Sequence, residues 1–120
     1  MRPSSLAIGF GAGRALVGVA LLAAPAPIAR RWVGAGDTPA TVLTRSLGVR
    51  DLVIGAGLAL AAAHGGDPRR WLAGGVLADT VDGIATMAAG DAIPRNGRVG
   101  TAALAGGSAL FGAWLARVID

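Results

Sequence analysis

The sequence predicts an all-α fold, an antiparallel bundle of four transmembrane helices that forms a single domain over residues 1–120. Hydrophobic residues make up 53% of the chain and charged residues only 15%, whereas soluble domains average about 25% charged residues. Apolar stretches that approach the roughly 20 residues needed to cross a bilayer occur four times. Proline and glycine residues lie between these stretches. Together these observations favour a multi-pass protein of the plasma membrane.

The first half of the chain contains two predicted spans and a short surface segment. Arg14 alone interrupts the first apolar stretch, which ends before Pro25 and Pro27. A short turn or helix at the membrane surface is predicted for residues 28–32, because two arginines and a tryptophan follow the prolines there. In order along the chain, the predicted spans cover residues 4–24, 39–63, 68–90 and 99–117.

Helix starts can be predicted from residues that commonly cap helices. Thr38 precedes Pro39 and Asp67 precedes Pro68. A side-chain oxygen before a proline at the first helical position is a typical helix start. The fourth span is the clearest, because Val99–Ala116 contains no charged residue.

Composition excludes several classes of function. The chain has no cysteine, so it cannot form a disulfide, a thiolate nucleophile or a cysteine-ligated metal site. The net charge is +4, but the arginines are scattered and no groove of basic and aromatic residues is evident. Nucleic acid is therefore not an expected partner, whereas anionic membrane lipids are. No cofactor is predicted.

Charged residues inside the predicted spans are the strongest functional signal. An unpaired charge at mid-bilayer costs about 2.5–3.5 kcal/mol on the insertion scale, so six of them would cost roughly 15–20 kcal/mol. Their formal charges sum to zero, and the sequence therefore predicts that they face one another in the bundle interior. They are Arg14, Arg45, Arg50, Asp51, Asp79 and Asp82.

Depth along the helices suggests which of these charges meet. Counted from the helix starts at about 1.5 Å per residue, Arg14, Arg50, Asp51 and Asp79 lie near one level. Arg45 and Asp82 are displaced toward the same side, which predicts an ion pair between them. The neighbours Arg50 and Asp51 point about 100° apart and should contact different helices.

The third span presents a polar face that could bind a ligand. Asp79 and Asp82 are three residues apart and share this face with Gly75 and Thr86. It offers two carboxylates, a hydroxyl group and a gap. His64, the only histidine, is predicted to be a loop residue at the interface. The predicted ligand-binding residues are Arg14, Arg45, Arg50, Asp51, Asp79, Asp82 and Thr86.

A metal site is not predicted. The run Asp79-Thr-Val-Asp82-Gly83 resembles the opening of the CDP-alcohol phosphotransferase motif. The continuation, with further aspartates that hold two metal ions in that family, is missing around Met87 and Asp91. Three nearby arginines would also oppose a divalent cation.

Small residues recur at four-residue spacing and predict close helix packing. Gly9 and Gly13 form one such pair in the first span. Contacts within the bundle are the favoured interpretation, and a homo-oligomer interface on the fourth span is the alternative. The small-residue ridges of the fourth span are Thr101, Ala105, Ala109 and Ala113, and Ser108, Gly112 and Ala116.

The arginines do not predict one orientation in the membrane. They flank the two membrane sides in equal number, four against four, so the usual bias of positive charge toward one side is missing.

Three runs of this sequence resemble a known family. They are residues 14–18 (RALVG), 45–55 (RSLGVRDLVIG) and 78–82 (ADTVD). Together they look like an uncharacterised family of small four-helix integral membrane proteins of actinobacteria and fungi, DoxX-like in outline. The resemblance covers most of the chain and is most specific in the middle run. It implies a four-helix membrane fold and carries no activity with it.

The favoured function is binding or translocation of a small polar or anionic solute by the charge cluster, coupled in one version to protonation of Asp79 or Asp82. Whether the chain is an enzyme stays open. One alternative is an intramembrane acid–base enzyme for a lipophilic substrate, with Asp79 and Asp82 as candidate catalytic residues. Another is an accessory membrane subunit whose charge cluster only fixes helix packing.

Overall fold

The computed structural model describes all 120 residues and contains only helices, which confirms the all-α prediction. Five α-helices and one short 3-10 helix follow one another along the chain. The α-helices are α1 (Pro3–Ala23), α2 (Pro25–Trp32), α3 (Thr38–His64), α4 (Pro68–Ala88) and α5 (Arg95–Val118), and the 3-10 helix covers Gly90–Ala92.

Three of these helices, α1, α3 and α5, are long and apolar enough to cross a membrane by length and composition. The fourth long helix, α4, has 21 residues but differs in composition. It begins beside Arg69 and Arg70 and carries Asp79 and Asp82 in its second half.

The helix boundaries show which capping predictions were right. Asp67 caps α4, because its carboxylate accepts a hydrogen bond from the Arg69 backbone N–H at 3.1 Å. At α3 the predicted cap is wrong by one residue: the Asp37 carboxylate accepts from the Ala40 N–H at 3.1 Å, and Thr38 is the first helical residue. An aspartate one position earlier reaches the free N–H groups of the first turn equally well.

The fifth helix begins four residues before the predicted fourth span. It starts at Arg95, directly after Pro94. The prediction followed the apolar stretch, whereas the helix itself also includes the charged turn that precedes it. A proline favours a helix start at the next residue because it cannot continue a preceding one.

Glycines bring α1 and α3 into backbone contact. A Cβ atom at Gly11 would lie 2.6 Å from the Gly55 carbonyl oxygen, and one at Gly18 would lie 2.5 Å from the Gly48 carbonyl oxygen. Residue numbers rise along α1 as they fall along α3, so the two helices are antiparallel. Each helix supplies two glycines seven residues apart, which is about two turns.

The start of α4 is joined to the end of α5 at one end of the bundle. We call this the closed end, where α1 and α4 begin and α3 and α5 finish. Arg69 donates from Nε to the Ala116 carbonyl at 3.2 Å and from Nη2 to the Ile119 carbonyl, which satisfies carbonyls left free at the end of α5. The buried apolar cluster of this end comprises Ala7, Leu58, Leu72, Leu115 and Ile119.

The outer surface of the bundle is apolar on every long helix. Large hydrophobic side chains are exposed on all of them, including α4 with Leu77, Val81 and Ile84. A surface of this kind is rare among soluble monomers and marks contact with lipid or with other proteins. It agrees with a membrane protein whose large apolar side chains face outward.

Candidate functional site

An ion-paired arginine lies at the centre of the bundle. The guanidinium of Arg14 on α1 donates to both carboxylate oxygens of Asp79 on α4, each at 2.8 Å. The same group donates to Asp51 Oδ1 on α3 at 3.0 Å. Gly75 makes room for it, because a Cβ there would lie 3.3 Å from Arg14 Nη1. Arg14 therefore ties three helices together, and the charges predicted to lie at one level do meet.

A second arginine continues this arrangement. Arg50 binds both oxygens of Asp82 on α4, with Nη1 at 2.9 Å from Oδ1. It also lies 3.3 Å from Asp51 Oδ1 through Nη2. As predicted from their 100° separation, Arg50 and Asp51 bind different helices, but the structure also joins them to each other.

The five residues form one connected chain, which we call the charge network. It runs in the order Asp79, Arg14, Asp51, Arg50, Asp82. Three carboxylates and two guanidinium groups give it a formal charge of −1. Asp51 accepts every one of its hydrogen bonds through Oδ1, so its Oδ2 has no partner. That oxygen is not fully enclosed.

The predicted ion pair between Arg45 and Asp82 is wrong. Asp82 is bound by Arg50, and Arg45 is exposed and forms no ion pair. Arg45 and Arg50 are five residues apart and so point about 140° apart around α3. Asp82 lies opposite Arg50, which is about 7.5 Å along α3 from Arg45 at 1.5 Å per residue, and Arg45 lies on the exposed side of α3.

Next to the charge network lies a cavity of about 670 Å³. Its walls come mainly from α1 and α5, and α2 covers one end. Arg14, Asp51, Asp79 and Asp82 contribute the charged part of the wall. Most of the remaining wall is apolar or lacks a side chain, as at Gly9 and Gly13 on α1 and Leu104 on α5. The cavity therefore combines an apolar groove with a charged patch, as ligand pockets commonly do.

The cavity extends along the helices and is closed at one end by aromatic side chains. Its wall covers residues 9–21 of α1 and 96–108 of α5, a length of about 18 Å at 1.5 Å per residue. Toward the closed end, Phe10 meets Phe111 with ring centroids 4.9 Å apart, and Phe111 meets Trp114 at 5.5 Å. The cavity is an open groove, since its wall residues Val17 and Leu104 are 54% and 76% exposed. We call its end beside α2 the mouth.

Polar residues surround this mouth. Arg31 and Asn96 are exposed there, and Trp32 forms part of the wall. The Trp32 Nε1 atom is buried without a hydrogen-bond partner. Gly97 lets α2 pack against the start of α5, because a Cβ at that position would overlap the Trp32 carbonyl oxygen. The end of α2 is thus fixed beside the mouth.

The four-residue spacing singled out the wrong glycines in α1. A Cβ at Gly9 or Gly13 would meet no atom within 4 Å, and both residues line the cavity. These two glycines therefore face the cavity and do not form the close helix contact that was predicted for them. The contact with α3 uses Gly11 and Gly18 instead, and their seven-residue spacing, repeated in Gly48 and Gly55, is the signal that the sequence contained.

The small residues of the fourth predicted span face inward. All seven members of its two ridges are buried or half-buried. Gly112 lies against Val76 of α4, where a Cβ would be 3.1 Å from Cγ2. Thr101, Ala105 and Ser108 line the cavity. Contacts and surfaces within one bundle therefore account for both ridges.

Two polar residues noted in the sequence lie away from the cavity. Thr86 is 5% exposed and shares the buried side of α4, but it is not part of the cavity wall. His64 is the last residue of α3 and is exposed, with its Nδ1 3.1 Å from the Leu60 carbonyl oxygen. The sequence did not indicate Phe10, Trp32 or Asn96 as wall residues, because they become neighbours only when α1, α2 and α5 assemble.

Comparison with protein-family models, curated proteins and solved structures finds no match for this chain.

Proposed function

We propose that this chain is a four-span protein of the plasma membrane that binds a small polar solute in the cavity beside the charge network. One observation carries the proposal: a cavity of about 670 Å³ has Arg14 and three aspartates in its wall. Intramembrane ionisable residues commonly mark ligand or ion pathways. The resemblance to small four-helix membrane proteins belongs to the same proposal.

The proposal includes α4 as a membrane span. Its outer side chains Leu77, Val81 and Ile84 are 67%, 54% and 65% exposed, as expected for a helix that faces lipid. Its two aspartates are both paired with arginines. Pairing removes most of the cost that would otherwise keep such a helix out of a bilayer.

Binding has more support than translocation. The cavity wall ends near Phe10, and the contact between Phe10 and Phe111 lies between it and the closed end. A solute that enters at the α2 end would have to displace these rings to cross. Proton coupling through Asp79 or Asp82, if translocation occurs, would require an arginine pair to open.

An acid–base enzyme has less support. Both oxygens of Asp79 accept from Arg14, and both oxygens of Asp82 accept from Arg50. A substrate that offers a proton to either aspartate would have to compete with a guanidinium group for the carboxylate oxygens. Of the three aspartates, only Asp51 keeps a carboxylate oxygen without a hydrogen-bond partner.

The architectural alternative has a specific observation in its favour. Arg14 joins α1, α3 and α4, and a bundle assembled in another register would leave charges unpaired in lipid. This role needs the network but does not need the cavity. The two proposals therefore differ in what happens when the cavity is filled and the network is left intact.

Gly13→Leu tests this difference. Gly13 is in the cavity wall and has open space around it, so a leucine should fill part of the cavity without disturbing the helix contacts. Gly74→Leu is the matched control, because Gly74 on α4 also has no neighbour within 4 Å but lies outside the cavity. Each protein would be extracted in native-membrane discs, and the co-purified small molecules would be identified by mass spectrometry.

The proposal expects at least one compound that accompanies the wild type and Gly74→Leu and is lost from Gly13→Leu. Identical small-molecule profiles for all three proteins, with equal stability, would favour the architectural alternative. A stability loss in Gly13→Leu alone would show that the helices pack more closely there than the structure describes.

Association between copies is a further part of the proposal. The outer face of α5 has exposed small residues at Ala102, Ala103 and Gly106, which would allow close approach of a second helix in lipid. Cysteine cross-linking at position 103 in membranes, with position 16 on α1 as a control, measures whether α5 forms such an interface.

A further inference from the structure

The charge network carries more negative than positive charge. Arg14 and Arg50 face Asp51, Asp79 and Asp82, which leaves a formal charge of −1 beside the cavity. An uncompensated charge is costly in a partly desolvated site and is normally paired. The imbalance therefore favours a cationic ligand over an anionic one.

Hydrogen bonding points to the same sign of charge. The Nη1 and Nη2 atoms of Arg14 already donate to carboxylates, and its Nε is enclosed and has no partner. An anion would find few accessible donors in this part of the wall. By contrast, Asp51 Oδ2 accepts no hydrogen bond and belongs to a residue in the cavity wall. It lacks a donor.

The rest of the cavity is suited to an apolar group. Gly9, Gly13 and Val17 on α1 face Leu104 and Ala105 on α5 across it. The other arginine of the cavity wall is Arg31, which is exposed and is therefore screened by water or lipid headgroups. A ligand with an apolar body and a cationic head could place the two ends in matching surroundings.

We infer that the cavity binds a lipophilic amine, with its ammonium group at Asp51 and its apolar body in the groove between α1 and α5. This inference rests on the proposed function, since it names the class of solute. It replaces an anionic solute with a cationic one. The ammonium group offsets the excess charge of the network and supplies the donor that Asp51 Oδ2 lacks.

Three probes with one apolar chain and different heads test this inference. They are bromine-tagged dodecylamine, dodecanol and dodecanoate, added to the full chain in nanodiscs of uncharged lipid. Bromine quenches tryptophan fluorescence on contact, and Trp32 is the tryptophan in the cavity wall. Trp32→Phe gives the background from the other two tryptophans.

The dissociation constant of each probe is measured for the wild type and for Asp51→Asn. Because the two proteins are compared with the same probe, differences between probes in their partitioning into lipid cancel. The dissociation constant of the amine should rise at least about tenfold in this variant, because a charged hydrogen bond is lost. The dissociation constant of the dodecanol probe should change by less than about threefold, and the dodecanoate probe should bind more tightly to the variant than to the wild type. Asp91→Asn is the charge-matched control, since Asp91 is an exposed residue of the 3-10 helix.

Arg50→Gln provides a second test that does not depend on the folding of Asp51→Asn. Arg50 is outside the cavity wall, and its loss would change the formal charge of the network from −1 to −2. The amine should then bind more tightly than to the wild type. Weaker amine binding by Arg50→Gln in a folded protein would contradict the inference.

The failure of this inference can be told apart from failure of the proposed function. If Gly13→Leu abolishes quenching by every probe while Asp51→Asn leaves the amine unaffected, the cavity binds ligands but does not select cations. Equal affinity for amine and alcohol, or preference for the carboxylate, leads to the same conclusion. If Gly13→Leu alters the quenching by none of the probes, both the cavity function and the amine inference are wrong.

Discussion

α1 packs tightly against α3 along one face and lies apart from α5 along the other, although both faces contain glycine. Gly11 and Gly18 allow backbone contact with α3, whereas Gly9 and Gly13 have open space around them. Residues two apart on a helix point about 160° apart, so these pairs occupy opposite faces. The same residue type thus builds an interface on one side and a cavity wall on the other.

The difference shows what determines whether a glycine in a membrane helix brings helices together. On the α3 side, both helices present glycine at matching heights, and the backbones meet. On the α5 side, Gly9 and Gly13 face residues with side chains, such as Leu104 and Ser108, across the cavity. Arg14 lies between these two faces and belongs to both, since it joins α3 and lines the cavity.

Loss of Arg14 should have the largest effect. Arg14→Leu would leave Asp79 without its only ion-pair partner at a site that is 7% exposed. Removal of one partner from a buried ion pair typically costs about 3–5 kcal/mol. We expect the free energy of unfolding in detergent to fall by about that amount, or the protein to fail to accumulate in membranes.

The double variant Arg14→Leu with Asp79→Leu provides the control for that prediction. Replacement of a buried ion pair by apolar residues is often close to neutral, so it should recover a large part of the lost stability. A single variant as stable as the wild type would show that Arg14 does not hold the three helices together.

Gly55→Ala tests the close contact between α1 and α3. Its Cβ would overlap the Ala15 backbone nitrogen and would lie 2.5 Å from the Gly11 carbonyl oxygen. Because both neighbours are backbone atoms, no side-chain rotation can relieve the overlap, and α1 must move away. Overpacking of this kind costs about 1–3 kcal/mol. Gly74→Ala, at a position with open space on α4, should show no such loss in the same unfolding measurement.

Arg50 and Arg45 offer a matched comparison of an inner and an outer arginine on α3. Arg50→Gln should destabilise the protein by about 1–2 kcal/mol, less than a fully buried pair, because the Arg50 side chain is 29% exposed. Arg45→Gln should stay within about 0.5 kcal/mol of the wild type, as is usual for surface changes. A larger loss for Arg45→Gln would mean that Asp82 pairs with Arg45 in the membrane.

These two arginines also show how far the sequence could be interpreted. Apolar stretches and the balance of charges predicted an all-helical protein whose aspartates and arginines meet inside, and the depth of Arg14 and Asp79 predicted their contact. Depth fixes height along a helix but not direction around it. The direction of Arg45 depends on which face of α3 meets α1, and the sequence alone did not reveal that face.

The cavity could not have been predicted for a related reason. It exists because α1 is drawn toward α3 by Gly11 and Gly18 and is thereby kept away from α5. Its wall takes residues from five helices, so no single stretch of sequence contains its pattern. Only the seven-residue spacing of glycines in α1 and α3 could have indicated which faces meet.

Gly9→Ala should have a small effect, opposite in sign to that of Gly11→Ala two residues away. A methyl group at Gly9 meets no atom within 4 Å, and alanine is favoured over glycine inside a helix by about 0.5–1 kcal/mol. We therefore expect the free energy of unfolding to rise by up to that amount, whereas Gly11→Ala, with its Cβ 2.6 Å from the Gly55 carbonyl oxygen, should lower it. Because Gly9 lines the cavity, the same methyl group should weaken binding of the amine probe slightly, and Gly11→Ala should affect binding only through stability. Equal destabilisation by both variants would show that α1 packs closely on both faces, and that the cavity closes in the membrane.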